Sequence, residues 1–126
     1  YPCEMCWWQR CAHFAALALA VLALVLRGNR LVVGLAAVAI GVSGLIGLFH
    51  AGVEYGWWQG FTACTANPVA GGGNPLDAIM NAPMVRCDTA QWDLFGISLA
   101  GWNFLFSVGG ALVVFLLLRR PSGARA

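Results

Sequence analysis

The sequence predicts an all-α membrane protein, a bundle of transmembrane helices with one long extramembrane loop, on three observations. The first is composition: of 126 residues, 60% are apolar and 10% charged, and the mean hydropathy is +0.76. That balance argues against an ordinary soluble globule. The second is three long apolar runs, Cys11 to Leu26, Leu31 to Phe49 and Leu94 to Leu118. Each can cross roughly 30 Å of hydrocarbon once the first is extended back through Trp7 and Trp8. They show no strand alternation, and within lipid only a helix satisfies its own backbone. The third is charge. Arg27 and Arg30 lie between the first two runs, and Arg119, Arg120 and Arg125 follow the third, with no acid among them. The positive-inside rule makes that side cytoplasmic.

The expected spans are about 7–26, 31–50 and 94–118, joined by a cytoplasmic turn at 27–30 and a periplasmic loop at 51–93. Three spans put the termini on opposite sides, with residue 1 outside. Tyr1 is not a natural translation start and nothing near it reads as a signal peptide, so a preceding segment, another helix, is expected. Pro2 suits the first turn of the first helix. Trp7 and Trp8, and later Trp57 and Trp58, read as interfacial aromatic belts. Gly28-Asn29 closes the turn. Ala37, Gly41, Ser43, Gly44 and Gly47 supply small residues for close helix contact and are read as packing only. In the loop, Ala70 to Gly73 is too glycine-rich to be rigid, and Leu76, Ile79, Met80 and Met84 fall at the spacing of a short amphipathic surface helix. Asn103, an intramembrane amide, is read first as a hydrogen bond between helices.

No glycine-rich nucleotide loop, paired catalytic carboxylates or basic nucleic-acid patch occurs, so any chemistry comes from sulfur. All five acids, Glu4, Glu54, Asp77, Asp88 and Asp93, share the non-cytoplasmic side with Arg10 and Arg86. The five cysteines lie on or near that side, which in a bacterium is the oxidising periplasm. Cys3 and Cys6 form a Cys-x-x-Cys pair, and Cys3, Cys6 and Arg10 follow i, i+3, i+7, one stripe of a helix. A helix N-terminus and a nearby guanidinium both favour a thiolate, against an ordinary thiol value of about 8.5. Snorkelling to phosphate headgroups is the alternative reading of Arg10. Cys64 and Cys87 form a distant loop pair. Two pairs on one face suggest two disulfides in exchange, while an inert staple across the loop is the simpler reading of the second pair. No metal site is expected, because Cys64 and Cys87 are too far apart in sequence to complete a zinc site with Cys3 and Cys6. Cys11 is read as a small buried apolar side chain. A disulfide circuit needs an electron sink, and the motif sits at the depth a lipid-soluble quinone reaches.

The run Pro2-Cys3-Glu4-Met5-Cys6-Trp7-Trp8-Gln9-Arg10, with His13 beyond it, resembles the bacterial disulfide bond formation protein DsbB family. The resemblance continues through His50-Ala51-Gly52-Val53-Glu54, Cys64, Met84-Val85-Arg86-Cys87-Asp88, Gln91-Trp92 and Gly96 to Asn103. It implies a bundle of four transmembrane helices, of which this chain shows three. It implies a quinone-linked thiol oxidase of the inner membrane that reoxidises a periplasmic DsbA-type thiol oxidase and passes electrons to ubiquinone or menaquinone. By position, the partner attacks Cys64 and releases Cys87, Cys87 attacks Cys3, and Cys6 is left facing the quinone beside Arg10. His50 and Glu54 then line the quinone site or move protons, or make a structural hydrogen bond. Two other readings compete: a quinone-coupled enzyme like those of the vitamin K epoxide reductase family, and a non-catalytic membrane scaffold with a stapled loop.

Overall fold

A computed structural model describes residues 3–65, 74–80, 82 and 85–121. The expectations for Tyr1, Pro2, Ala70 to Gly73, Met84 and Arg125 fall outside those residues. Three long helices form the bundle: α1 (Glu4–Val25), α2 (Arg30–Glu54) and α4 (Leu99–Arg119). Between α2 and α4 lie a 3₁₀ turn (Ala63–Thr65), a short helix α3 (Pro75–Met80) and a hairpin of β1 (Asp93–Leu94) and β2 (Ile97–Ser98). All three long helices are long and apolar enough to cross a membrane.

Each helix starts on a side chain that accepts orphan backbone N–H groups. Cys3 caps α1, Asn29 caps α2 by accepting from Leu31 N and Val32 N at 3.0 and 3.3 Å, and Ser98 caps α4. The end of α2 is a Schellman closure, with Gly56 at φ 72° and Trp57 N donating to Gly52 O at 2.8 Å. Glycine fits there because an L side chain is strained at positive φ. Helix α2 thus continues one turn past His50, carrying Glu54 on the same face.

The third helix begins at Leu99 rather than at Leu94. Asp93 pairs with Ser98 and Leu94 with Ile97 across a two-residue turn in which Phe95 and Gly96 have φ 55° and 75°. That is the hairpin geometry of two successive left-handed residues, and the Ser98 cap then starts the helix. Tyr55 fastens the hairpin to the end of α2: its hydroxyl donates to Gly96 O at 3.0 Å and accepts from Ser98 N at 2.7 Å.

Helix α2 is central and packs against both α1 and α4. Within the bundle the buried positions are small, among them Ala16, Ala23, Ala37, Gly44, Gly47 and Ala111, while Leu17, Leu24, Leu31 and Leu116 face outward. Lipid tails are as apolar as leucine, so close backbone approach rather than apolar burial joins such helices. A larger core lies at one end only, where Cys3, Met5, Val53, Cys64 and Cys87 cluster with Cys6, Trp8, Phe49 and Val85 around them. Trp8 stacks on Phe61 at 5.9 Å and Phe61 meets Phe49 at 5.3 Å. The aromatic residues therefore also seat the start of the loop on the helix ends.

A Cβ at Gly47 would lie 2.9 Å from Ala100 O and 3.2 Å from Phe104 N, whereas one at Gly34 meets only Leu118 Cδ1 at 3.8 Å. Gly47→Ala is expected to destabilise the bundle by about 1–3 kcal/mol in denaturant titration of the detergent-solubilised protein, because backbone cannot give way. Gly34→Ala is expected to stay within about 0.5 kcal/mol of the wild type.

Candidate functional site: two disulfides beside a polar cavity

The first disulfide is built by a helix start. Cys3 is extended at φ −65°, ψ 163°, and its Sγ accepts from Cys6 N at 3.1 Å. The i, i+3 reach of an N-cap is also the reach that closes Cys3 to Cys6, with Cα atoms 5.0 Å apart. Cys3 therefore precedes the helical stripe rather than continuing it. The second disulfide joins Cys64 on the 3₁₀ turn to Cys87, with Cα atoms 5.4 Å apart and Cys87 N donating to Cys64 O at 3.2 Å. Cys87 is fully buried, Cys64 is 8% exposed, and Thr62 Oγ1 lies 3.1 Å from Cys64 Sγ. Both expected pairs are thus formed, and they touch: Cys3 Sγ, Cys87 Sγ and a His50 ring nitrogen all lie within 4.8 Å of one another.

Beside this cluster opens a cavity of about 670 Å³, bordered by α1, α2, α4 and loop residues 85–92. Cys3, Cys6, Arg10, His50 and Glu54 all stand on its wall, while Cys64 and Cys87 lie behind Cys3. Arg10 is exposed to it. The Glu54 side chain is 6% exposed, its Oε1 is 3.6 Å from His50 Nε2, and its Oε2 has no hydrogen-bond partner.

A polar network runs from α4 through α1 to α2 beneath the disulfides. Asn103 Nδ2 donates to Gln9 Oε1 at 2.7 Å and to Ser43 O at 3.2 Å. Gln9 Nε2 donates to Met5 O at 3.2 Å and to His50 Nδ1 at 3.0 Å. His50 Nε2 faces Cys3 Sγ at 3.8 Å. Ser43 Oγ donates to Gln9 O at 3.1 Å and meets His13 Nδ1 at 2.7 Å, and Ser107 Oγ donates to Asn103 Oδ1 at 2.8 Å. Asn103 is indeed an interhelical hydrogen bond. Ser43 is more than packing, since it holds groups on both α1 and α4.

At the loop edge of the cavity, Arg86 Nε donates to Asp88 Oδ1 at 2.8 Å, with a second guanidinium bond to Oδ2. That hydrogen-bonded guanidinium holds the Asp88 carboxyl below its usual range. A depressed carboxylate contributes stability above its unfolded value and loses it as pH falls through the folded one.

One further expectation needs revision. Cys11 is free and exposed, not buried: it is turned about 140° from Cys6 and so faces outward from the bundle. Cys3, Cys87 and His50 form the one group among the described residues with the spacing to hold a metal ion. In this oxidation state both sulfurs are committed to disulfides, so the group offers no thiolate ligand. Gln9 and Arg86 were not singled out as site residues by sequence reasoning. The available signal for Gln9 was its place among Cys6, Arg10 and His13 at helical spacing, a polar run at the start of an apolar helix.

An apolar helical bundle that holds two packed disulfides beside a cavity defines a membrane protein of thiol–disulfide chemistry. The family model described as disulfide bond formation protein DsbB matches residues 1–117. The chain belongs to the DsbB family, part of the machinery of disulfide formation. Comparison with curated proteins and with solved structures returned no match.

Asn103→Leu leaves Gln9 Oε1 without its donor, and is expected to cost about 1–3 kcal/mol of stability in denaturant titration, near the lower figure if lipid-side partners compensate. Lowering pH through the Asp88 range should loosen the loop in wild type, read as faster proteolysis, whereas Asp88→Asn should remove that pH dependence.

Proposed function

We propose that the protein is a quinone-linked thiol oxidase of the bacterial inner membrane, reoxidising a periplasmic DsbA-type dithiol oxidase. In this reading α1, α2 and α4 span the membrane, the turn at 27–30 is cytoplasmic, and the loop at 51–93 with both disulfides is periplasmic. The observation that carries it is the packing of the Cys64–Cys87 disulfide against Cys3 of the Cys3–Cys6 disulfide. An inert staple has no need of a second disulfide at its back.

Burial supports the order of exchange that the resemblance implies. Cys64 retains some exposure and Cys87 none, so a reduced partner's thiolate attacks Cys64 and Cys87 leaves with the electron pair. The Cys87 thiolate then attacks Cys3, and Cys6 leaves as a thiolate on the cavity wall. The partner's second thiol closes on its own attached sulfur and frees Cys64. Cys64 attacks Cys87, restoring the loop disulfide and releasing Cys3. The net result is an oxidised partner and a reduced Cys3, Cys6 pair.

The cavity fits a quinone head by its lining: the Arg10 guanidinium at the wall would donate to a quinone oxygen, and the buried Glu54 Oε2, which lacks a partner, would accept from the hydroxyl of the reduced head. Cys6, Arg10, His50 and Glu54 would hold it. When bound, ubiquinone or menaquinone supplies the oxidant that takes two electrons and two protons as Cys3 and Cys6 close again. Arg10 favours the Cys6 thiolate and negative charge on an oxygen at the wall.

Cys6→Ser should abolish quinone reduction by reduced partner while leaving the partner's mixed disulfide formed; near-normal turnover in that variant would refute the relay. A partner whose second cysteine is replaced by Ser should be trapped on Cys64 of the otherwise intact chain, with Cys87 as the leaving group, and Cys64→Ser should capture none, as read by non-reducing electrophoresis. Arg10→Leu is expected to slow quinone reduction tenfold or more, about 1.4 kcal/mol at the barrier.

A further inference from the structure

The direction of the polar network is fixed by two backbone carbonyls. Ser43 O and Met5 O can only accept. The first fixes which end of the Asn103 amide is the nitrogen, and that nitrogen then requires Gln9 to present Oε1 to it. The second holds Gln9 Nε2 at the other end, where it also donates to His50 Nδ1. A ring nitrogen that accepts carries no hydrogen, so the neutral His50 ring carries its hydrogen on Nε2, the atom 3.8 Å from Cys3 Sγ. Glu54 Oε1, at 3.6 Å from the same nitrogen, lies beyond hydrogen-bond length. Among the described residues the Cys87 backbone is the one other acceptor that meets the His50 ring, so Nε2–H is shared between it and Cys3 Sγ until Cys3 becomes a thiolate and the stronger acceptor.

We infer that His50 is a catalytic residue that stabilises the Cys3 thiolate through its Nε2–H, and that Gln9, held by Asn103, is the positioning residue that fixes this tautomer. This rests on the reading of Cys3 as an exchanging sulfur. When the Cys64 thiolate attacks Cys87 Sγ, the Cys3–Cys87 bond breaks with its electron pair on Cys3. His50 keeps its proton and donates a hydrogen bond to the new thiolate. Such a bond favours the charged form of its acceptor and lowers its pKa. The other titratable groups that share this surrounding are Glu54 on α2, Arg10, His13 and, once reduced, Cys6 on α1, and Cys64, Cys87 and Arg86 on the loop; α4 brings the Asn103 amide and no charge.

The test needs neither quinone nor partner. The full chain in lipid nanodiscs is reduced, freed of reductant without air, and pulsed with iodoacetamide across a pH series, with alkylation at each cysteine read by fragment mass spectrometry. Cys3 should titrate below the ordinary thiol value of about 8.5. His50→Leu should raise its midpoint by about one pH unit, a tenfold loss of thiolate at neutral pH. Cys64 in the same samples should not move. Gln9→Leu should shift Cys3 in the same direction by less, and His50→Gln, which keeps an N–H, should stay nearer the wild type. Nitrogen-15 NMR of the two histidines should show His50 protonated at Nε2 in wild type and a tautomer mixture in Gln9→Leu. A Cys3 midpoint unmoved by His50→Leu, an equal shift at Cys64, or a wild-type Nδ1–H overturns the inference. Failure of the quinone reading would appear separately, as reduced protein that keeps its thiols when quinone is added.

Discussion

Helices in lipid gain nothing by hiding leucines from a solvent that is itself apolar, so their mutual register rests on groups that no single helix can satisfy. Here that role falls to the Asn103 amide. It reaches Gln9 on α1 and Ser43 on α2 at once, and a displacement of any helix along its axis breaks one of those bonds. The glycines at 44 and 47 let α4 approach closely enough for the amide to reach. Sliding would then cost both close packing and a buried donor without a partner, which hydrocarbon does not forgive.

The same register places the chemistry. Because α1 begins at Cys3 and α2 continues to Glu54, the first disulfide, His50 and Glu54 arrive at one level. The loop completes the level from above, seated by the stacking of Phe61 on Trp8 and by the Cys64–Cys87 bond. The Tyr55 hydroxyl holds the hairpin where α4 must start. The site is thus assembled by helix ends and one short-range clamp, with the apolar midsections serving as spacing.

Much of this was legible in the sequence because lipid imposes few solutions. Run length, Arg placement and the small residues of α2 left little but a helical bundle, and the Cys-x-x-Cys spacing brought two sulfurs within bonding reach. The start of α4 was not legible: Leu94 to Ser98 is as apolar as a helix, and only the left-handed pair Phe95-Gly96 turns it into a hairpin. Ser43 and Gln9 were hidden for a related reason. Periodicity marks which face of a helix is polar but not which partner a serine or an amide meets, and those partners on other helices lie 30 and more residues away in sequence. Cys11 misled because smallness and apolarity suit a lipid-facing position as well as a buried one.

The orientation of the network also has an electrical consequence. Side-chain amides pass hydrogen bonds along but do not pass protons, and Gln9 and Asn103 stand between His50 and the deeper bundle. They form an insulating plug under the site. The chain of amides holds the His50 ring in place while giving its protons no path past Gln9 and Asn103 into the deeper bundle.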